Sequence, residues 1–223
     1  MCARLAAGPH RTAGVTTGRV VVHFTHVDHL ATIVRRGLVS DIAAQAEGLV
    51  TREVGSRAIK DRRRRATVPV GPGGVVADYV PFYFAPRSPM MFSIHKGNVA
   101  EYDGGIEALV YLVSSVERFT DLGLSIVITD RNAVLPYAAF FEGTDGLGHV
   151  DWELMKAKMW TNTIDEPDRM ERRMAECLVH PVVPWEAVEA VCVRSAPRKA
   201  AVEATLAAAG DASTVRVTPD WYF

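Results

Sequence analysis

Apolar and polar residues alternate along this chain in short bursts. None approaches the 18 or so apolar residues of a membrane span. Val20 to Phe24 read as a strand. Thr25 then stands where a helix N-cap is expected, with Asp28 three residues on in a capping-box position. Leu30, Ile33 and Val34 make one helical face, and Gly37 is the residue that ends it. Residues 40–56 show no strong period and predict a loop with at most a helical turn. The stretch "DYVPFYFAPRSPMM" from Asp78 to Met91 contains a dense aromatic strand, with Pro81 marking an edge or irregularity and Pro86 and Pro89 ending it.

The strongest strands are Ala108–Ser115 and Leu124–Asp130, which are short, rich in β-branched residues and bounded by polar turns. Asp130 is expected to cap a helix over "RNAVLPYAAFF", bent at Pro136. Asp151 is expected to cap a second helix, "WELMKAKMW". Glu176–His180 and Val188–Ser195 read as strands. A helix follows with Pro197 at its start and Gly210 just past its end, and the chain closes on a strand within "STVRVTPDWYF". Strands and helices mix without regular alternation, which predicts α+β rather than a doubly wound sheet. The first 17 residues read as a loose tail, and residues 18–223 as one domain.

Composition narrows the chemistry. The chain has 223 residues, 48% of them apolar, enough for a substantial core. The net charge is −1, so any contact with nucleic acid must come from a local patch. Cys2, Cys177 and Cys192 are scattered and include no C-x-x-C, which disfavours a disulfide framework or a cysteine zinc site and suits a reducing cytoplasm. "MCARLAAGPHRTAG" lacks the apolar segment of a signal peptide.

Four stretches carry candidate chemistry. In "HFTHVDH", His23, His26 and His29 recur every three residues, but no H-E-x-x-H or cysteine pair accompanies them, so no metal site is expected. A capping role accounts for Thr25. It does not account for His23, a polar ring at a strand end beside a helix start, where ligands tend to be received. "KDRRRRATVPVGPGG" is first a solvated charge run, yet four successive arginines cannot share one helix face, so some can meet phosphates while others turn inward. No G-K-[ST] follows its glycines, and no G-x-G-x-x-G follows a strand. Tyr79, Phe82, Tyr83 and Phe84 cannot all point one way along a strand, so part of the set faces a second surface suited to stacking. Glu176 enters an apolar strand, where a carboxylate costs several kcal/mol unless it is paired. Such groups are either functional or held by a fixed arginine.

The H-x-T strand followed by a helix, the arginine run, "DYVPFYFAPRSPM" and "WTNTIDEPDRMERRMAECLV" together resemble the DarT DNA ADP-ribosyltransferase toxins. The similarity runs from about Val21 to the terminal "WYF". It implies an ADP-ribosyltransferase-like fold, two packed mixed β-sheets forming an NAD cleft with flanking helices. It further implies transfer of ADP-ribose from NAD, the co-substrate, to a base of single-stranded DNA, with thymine favoured and no metal. Carried over by motif, Glu176 is the catalytic glutamate and Arg62 the catalytic arginine, although the pattern leaves the register within arginines 62–65 open. His23, Thr25, Phe82, Tyr83 and Leu38 would hold NAD. Arg63, Arg65, Tyr79, Arg87 and Arg169 would meet DNA. A macrodomain antitoxin of the DarG kind would be the partner. Transfer to guanine, RNA or protein, and a catalytically inactive nucleic-acid-binding module, are the alternatives.

Overall fold

The apolar alternation at Val20–Phe24 forms strand β1 (Val20–His26), which continues two residues beyond its expected end. Thr25 and His26 stay in the ladder opposite Val110 and Leu109. The cap therefore moves to His26, whose Nδ1 accepts from the Asp28 amide at 3.2 Å; Thr25 is not the N-cap. The computed structural model describes residues 18–223, and the expected tail 1–17 lies outside the described residues.

After β1 come α1 (Leu30–Arg36), β2 (Leu38–Val39), α2 (Asp41–Ala46), α3 (Arg57–Arg63), β3 (Val80–Tyr83) and α4 (Pro89–His95). Then follow β4 (Leu109–Ser115), α5 (Val116–Asp121), β5 (Ser125–Thr129), β6 (Phe140–Glu142), α6 (Trp152–Lys156) and α7 (Arg169–Arg172). The last elements are β7 (Glu176–His180), β8 (Val182–Val183), β9 (Ala190–Val193), α8 (Ala196–Ala208) and β10 (Val215–Val217). Gly37 ends α1 with φ +81°, a conformation that needs no Cβ in the way.

Where two packed sheets were expected, one eight-stranded sheet runs in the order β10-β9-β4-β1-β3-β7-β5-β6, with β2 and β8 forming a separate two-stranded ladder. Among the described residues, only the β9–β10 pair of the large sheet is parallel. The sheet is nearly divided at its centre. β1 pairs with β4 along its whole length, but meets β3 only at Val22 opposite Tyr83. Pro81 in β3 has no N–H to give to a ladder. Its carbonyl instead accepts from the ring Nδ1 of His23 at 2.7 Å.

Helices cover both faces. On one, Val21, Phe82, Leu112 and Val191 pack with residues of α1, α5 and α8. On the other, Val22, Phe24 and Tyr111 pack with Met91 and Ile94 of α4. The segment after Asp130 is not the bent helix expected. The Asp130 carboxylate accepts from the Ala139 amide at 2.9 Å, closing a loop, and Phe140–Glu142 then adds to the sheet beside β5. Pro136 disfavours a helix there, and an open sheet edge supplies the competing partner.

Candidate active site

Glu176 opens β7 opposite Tyr83. Its neighbour Cys177 pairs with Ile128, so the β5–β7 ladder stops one residue short of the glutamate. The hydroxyl of Thr129 extends it, accepting from the Glu176 amide at 3.0 Å while donating to the Arg131 carbonyl at 2.7 Å. The glutamate side chain is 2% exposed. Arg63 Nη1 donates to both of its oxygens, at 2.9 and 3.1 Å, and the Ala133 amide donates to Oε1 at 3.3 Å. A buried carboxylate is thus compensated by a guanidinium and a fixed backbone dipole.

Arg63, not Arg62, is the inward arginine, and helix phase explains why. Lys60 of α3 binds Asp41 at 2.5 Å and Glu53 at 2.8 Å, and Arg64 binds Asp41 at 3.2 Å. These pairs fix one face of α3 against α2 and the loop before it. Arg63, three residues after Lys60, lies near that face, whereas Arg62 is turned about 200° from Lys60 and is exposed.

His23 stands beside this pair. Its Nδ1 must carry the proton, since a carbonyl only accepts, and Nε2 is left as the acceptor. Burial, with help from the charge of Arg63, pushes its pKa down to about 4, so the ring is neutral. Arg63 and Glu176 also lie close enough to Tyr83 to bias its hydroxyl, which burial holds in the protonated form. Glu176, Arg63, His23 and Tyr83 therefore converge on the seam between β1 and β3. Thr25, two residues along β1 from His23, binds His29 Nδ1 at 2.9 Å through its hydroxyl.

The other residues expected to make contacts lie as follows. Phe82 is fully buried, packed against Phe119 and tilted against His23 at 5.6 Å, so it backs the histidine and exposes no face to a ligand. Leu38 is buried in the ladder of β2 with β8. Tyr79 is buried as well, donating to the Gly73 carbonyl at 2.8 Å. Arg87 lays its guanidinium over the Phe223 ring at 4.4 Å. Arg169 is committed to Glu166 and to the Met159 carbonyl. Arg65 and Arg62 remain exposed and border a groove of about 350 Å³ between the end of α3 and the 133–136 loop. Ala133 lines this groove while its amide binds Glu176, so the groove abuts the carboxylate.

Thr129, Ala133 and Arg173 carry no site expectation from sequence, and His29 was weighed only as a metal ligand. Arg173 is 4% exposed and donates to the carbonyls of Leu154, Met155 and Pro86 at 2.6–2.8 Å. It ties the C-terminal end of α6 to the loop after β3, and burial lowers its pKa to about 10. Nothing in the sequence marked Ala133, which acts through its backbone. Among the described residues, no group of three or more His, Cys, Asp or Glu is placed to hold a metal ion.

The same architecture recurs in known proteins. A solved structure described as Thermus sp. 2.9 DarT in complex with ADP-ribosylated ssDNA superposes with a TM-score of 0.85 at 36% identity, covering 92% of this chain and 96% of that one. Another, Thermus sp. 2.9 DarT in complex with NAD+, gives 0.82 at 36% identity, covering 92% and 98%. A curated relative from Thermus sp. (strain 2.9), described as a DNA ADP-ribosyl transferase, is 40% identical over 205 residues, 91% of this chain and 95% of its own length. A carboxylate–guanidinium pair at the seam of a split sheet, and a match over residues 22–223 to the family model described as ssDNA thymidine ADP-ribosyltransferase, DarT, lead to one conclusion: this chain belongs to the DarT family.

Proposed function

We propose that this chain transfers ADP-ribose from NAD to a base of single-stranded DNA, with thymine as the acceptor. The observation that carries the reading is the buried Glu176–Arg63 pair at the cleft, flanked by the neutral His23 on one side and the arginine-edged groove on the other. The residues fit NAD. Arg63 Nη2 is buried and has no partner among the described residues, a donor in want of an anionic or hydroxyl oxygen such as a diphosphate or ribose presents.

NAD supplies the ADP-ribosyl group, and its nicotinamide departs with the electrons of the broken glycosidic bond. Everything else falls to the chain. Glu176 places negative charge where positive charge develops on the ribose, in a site with little water to screen it. The same carboxylate takes the proton that the acceptor nitrogen must lose as its bond to the ribose forms. Arg63 braces the carboxylate through Nη1 and offers Nη2 to the bound dinucleotide. His23, Thr25 and Tyr83 line the side that receives the nicotinamide half. Arg62 and Arg65 meet phosphates of the strand laid in the groove, where an unpaired base reaches Glu176 without the cost of leaving a duplex.

Incubation with NAD and short oligonucleotides tests this. Thymine-containing single strands should gain the mass of one ADP-ribosyl group, strands without thymine should not, and Glu176→Gln should lose at least about a hundredfold in rate. Absence of any adduct on varied single strands would overturn the reading. Family membership supports a toxin–antitoxin setting, with a macrodomain that removes the modification as the partner. A DNA substrate and the free, buried thiols of Cys177 and Cys192 fit the cytoplasm.

A further inference from the structure

His29 is the third histidine of "HFTHVDH", and the mechanism above does not use it. Its two ring nitrogens face different groups. Nε2 lies 3.2 Å from the amide of Thr51 and 3.2 Å from the amide of Arg52, and both amides donate to it. Nε2 must therefore be the bare, accepting nitrogen, since a proton there would confront two N–H groups. A neutral imidazole carries its one proton on the other nitrogen. Nδ1–H is thus the donor in the 2.9 Å bond to the Thr25 hydroxyl. Burial, with the nearby His26, shifts His29 toward the neutral form, in agreement with this tautomer.

The consequence falls on Thr25. Its oxygen already accepts from His29, so its own hydrogen must be given elsewhere. The hydroxyl has no second hydrogen-bond partner among the described residues. Thr25 follows His23 by two on β1, beside the cleft. We propose that His29 is a positioning residue, which fixes the Thr25 hydroxyl as a hydrogen-bond donor toward an oxygen acceptor on the nicotinamide half of NAD. The direction is set at a distance: two loop amides choose the tautomer, the tautomer chooses the hydroxyl rotamer, and the rotamer selects for an acceptor on the ligand. This deepens the proposed function and rests on its placing of Thr25 at the nicotinamide side.

Two substitutions separate this role from simple fastening of the 51–52 loop. In His29→Asn the side-chain amide nitrogen takes the place of Nδ1, keeping the donation to Thr25 while abandoning the loop amides. In His29→Gln the amide oxygen reaches the place of Nε2, keeping an acceptor for the loop while losing the donor to Thr25. The measurements are KM for NAD, kcat, and the rise in melting temperature produced by NAD without DNA. Thr25→Val should raise KM about tenfold, the loss of one hydrogen bond to ligand, with kcat changed less. His29→Gln should match it, the double variant should be no worse than Thr25→Val alone, and His29→Asn should restore the KM. If Thr25→Val leaves KM and the thermal shift unchanged, the placing of Thr25 is wrong. If Thr25→Val raises KM but His29→Gln does not, or His29→Asn is the worse of the two, the positioning role is overturned and His29 only holds the loop.

Discussion

Arg63 lies three residues after Lys60 and Arg62 only two, and on a helix that single step separates a guanidinium facing a buried carboxylate from one facing solvent. Arg63→Ala should therefore lower the rate of ADP-ribose transfer by about a hundredfold or more, and Arg63→Lys should recover little, because a lysine cannot bind the carboxylate and also present a second, fixed donor. Arg62→Ala should leave turnover near normal at saturating DNA. Steady-state rates of the three variants at saturating NAD check both statements. His23 gives a separate test. Unfolded, the ring takes up a proton near pH 6.5; folded, only near about 4. Between those values the unfolded chain binds more protons, so the contribution of His23 is whole above about pH 6.5 and is lost as pH falls toward 4, up to about 3 kcal/mol. Urea midpoints over that range should fall more steeply for the native chain than for His23→Gln.

At the scale of elements, α3 is the part whose placement matters most to the site, and it has little apolar area with which to hold itself. None of its residues is fully buried. It is held instead by Lys60 between Asp41 and Glu53, with Arg64 adding a second bond to Asp41. Lys60→Met should raise KM for NAD several-fold and speed hydrogen exchange in residues 57–63, while the amides of β7 keep their protection. This dependence on charge explains what the sequence left hidden. Strands β4, β5, β7 and β9 were legible because burial on both sides demands runs of apolar, mostly β-branched residues. α3 was not, since its pattern is one of ion pairs whose partners lie 7 and 19 residues earlier in a stretch without period. The register of the arginines followed from the same gap: without Lys60's partners, nothing told Arg62 from Arg63. Glu176 could be read because an acidic residue in a buried strand has few explanations. Thr25 was misread as a cap because the ladder to β4 runs longer than its apolar residues suggest.

For the whole molecule, a net charge of −1 rules out a general attraction for nucleic acid. Of the five residues expected to meet DNA, Arg63 binds Glu176, Tyr79 lies in the core, Arg87 lies over Phe223 and Arg169 pairs with Glu166. Only Arg65, joined by Arg62, still borders the groove. The salt dependence of binding to a single strand should accordingly be shallow, with a slope of log K against log salt of about −1.4 for two phosphate contacts. Loss of either arginine should reduce it by about half, which titrations at several salt concentrations can read. The seam in the sheet has its own consequence. His23 and Thr25 belong to one leaf and Glu176 to the other, and a single backbone pairing together with one imidazole-to-carbonyl bond bridges them. With so little backbone pairing there, the two leaves are joined chiefly by side chains that pack across the seam, Phe82 against Phe119 on one face and Phe24 against Tyr83 on the other.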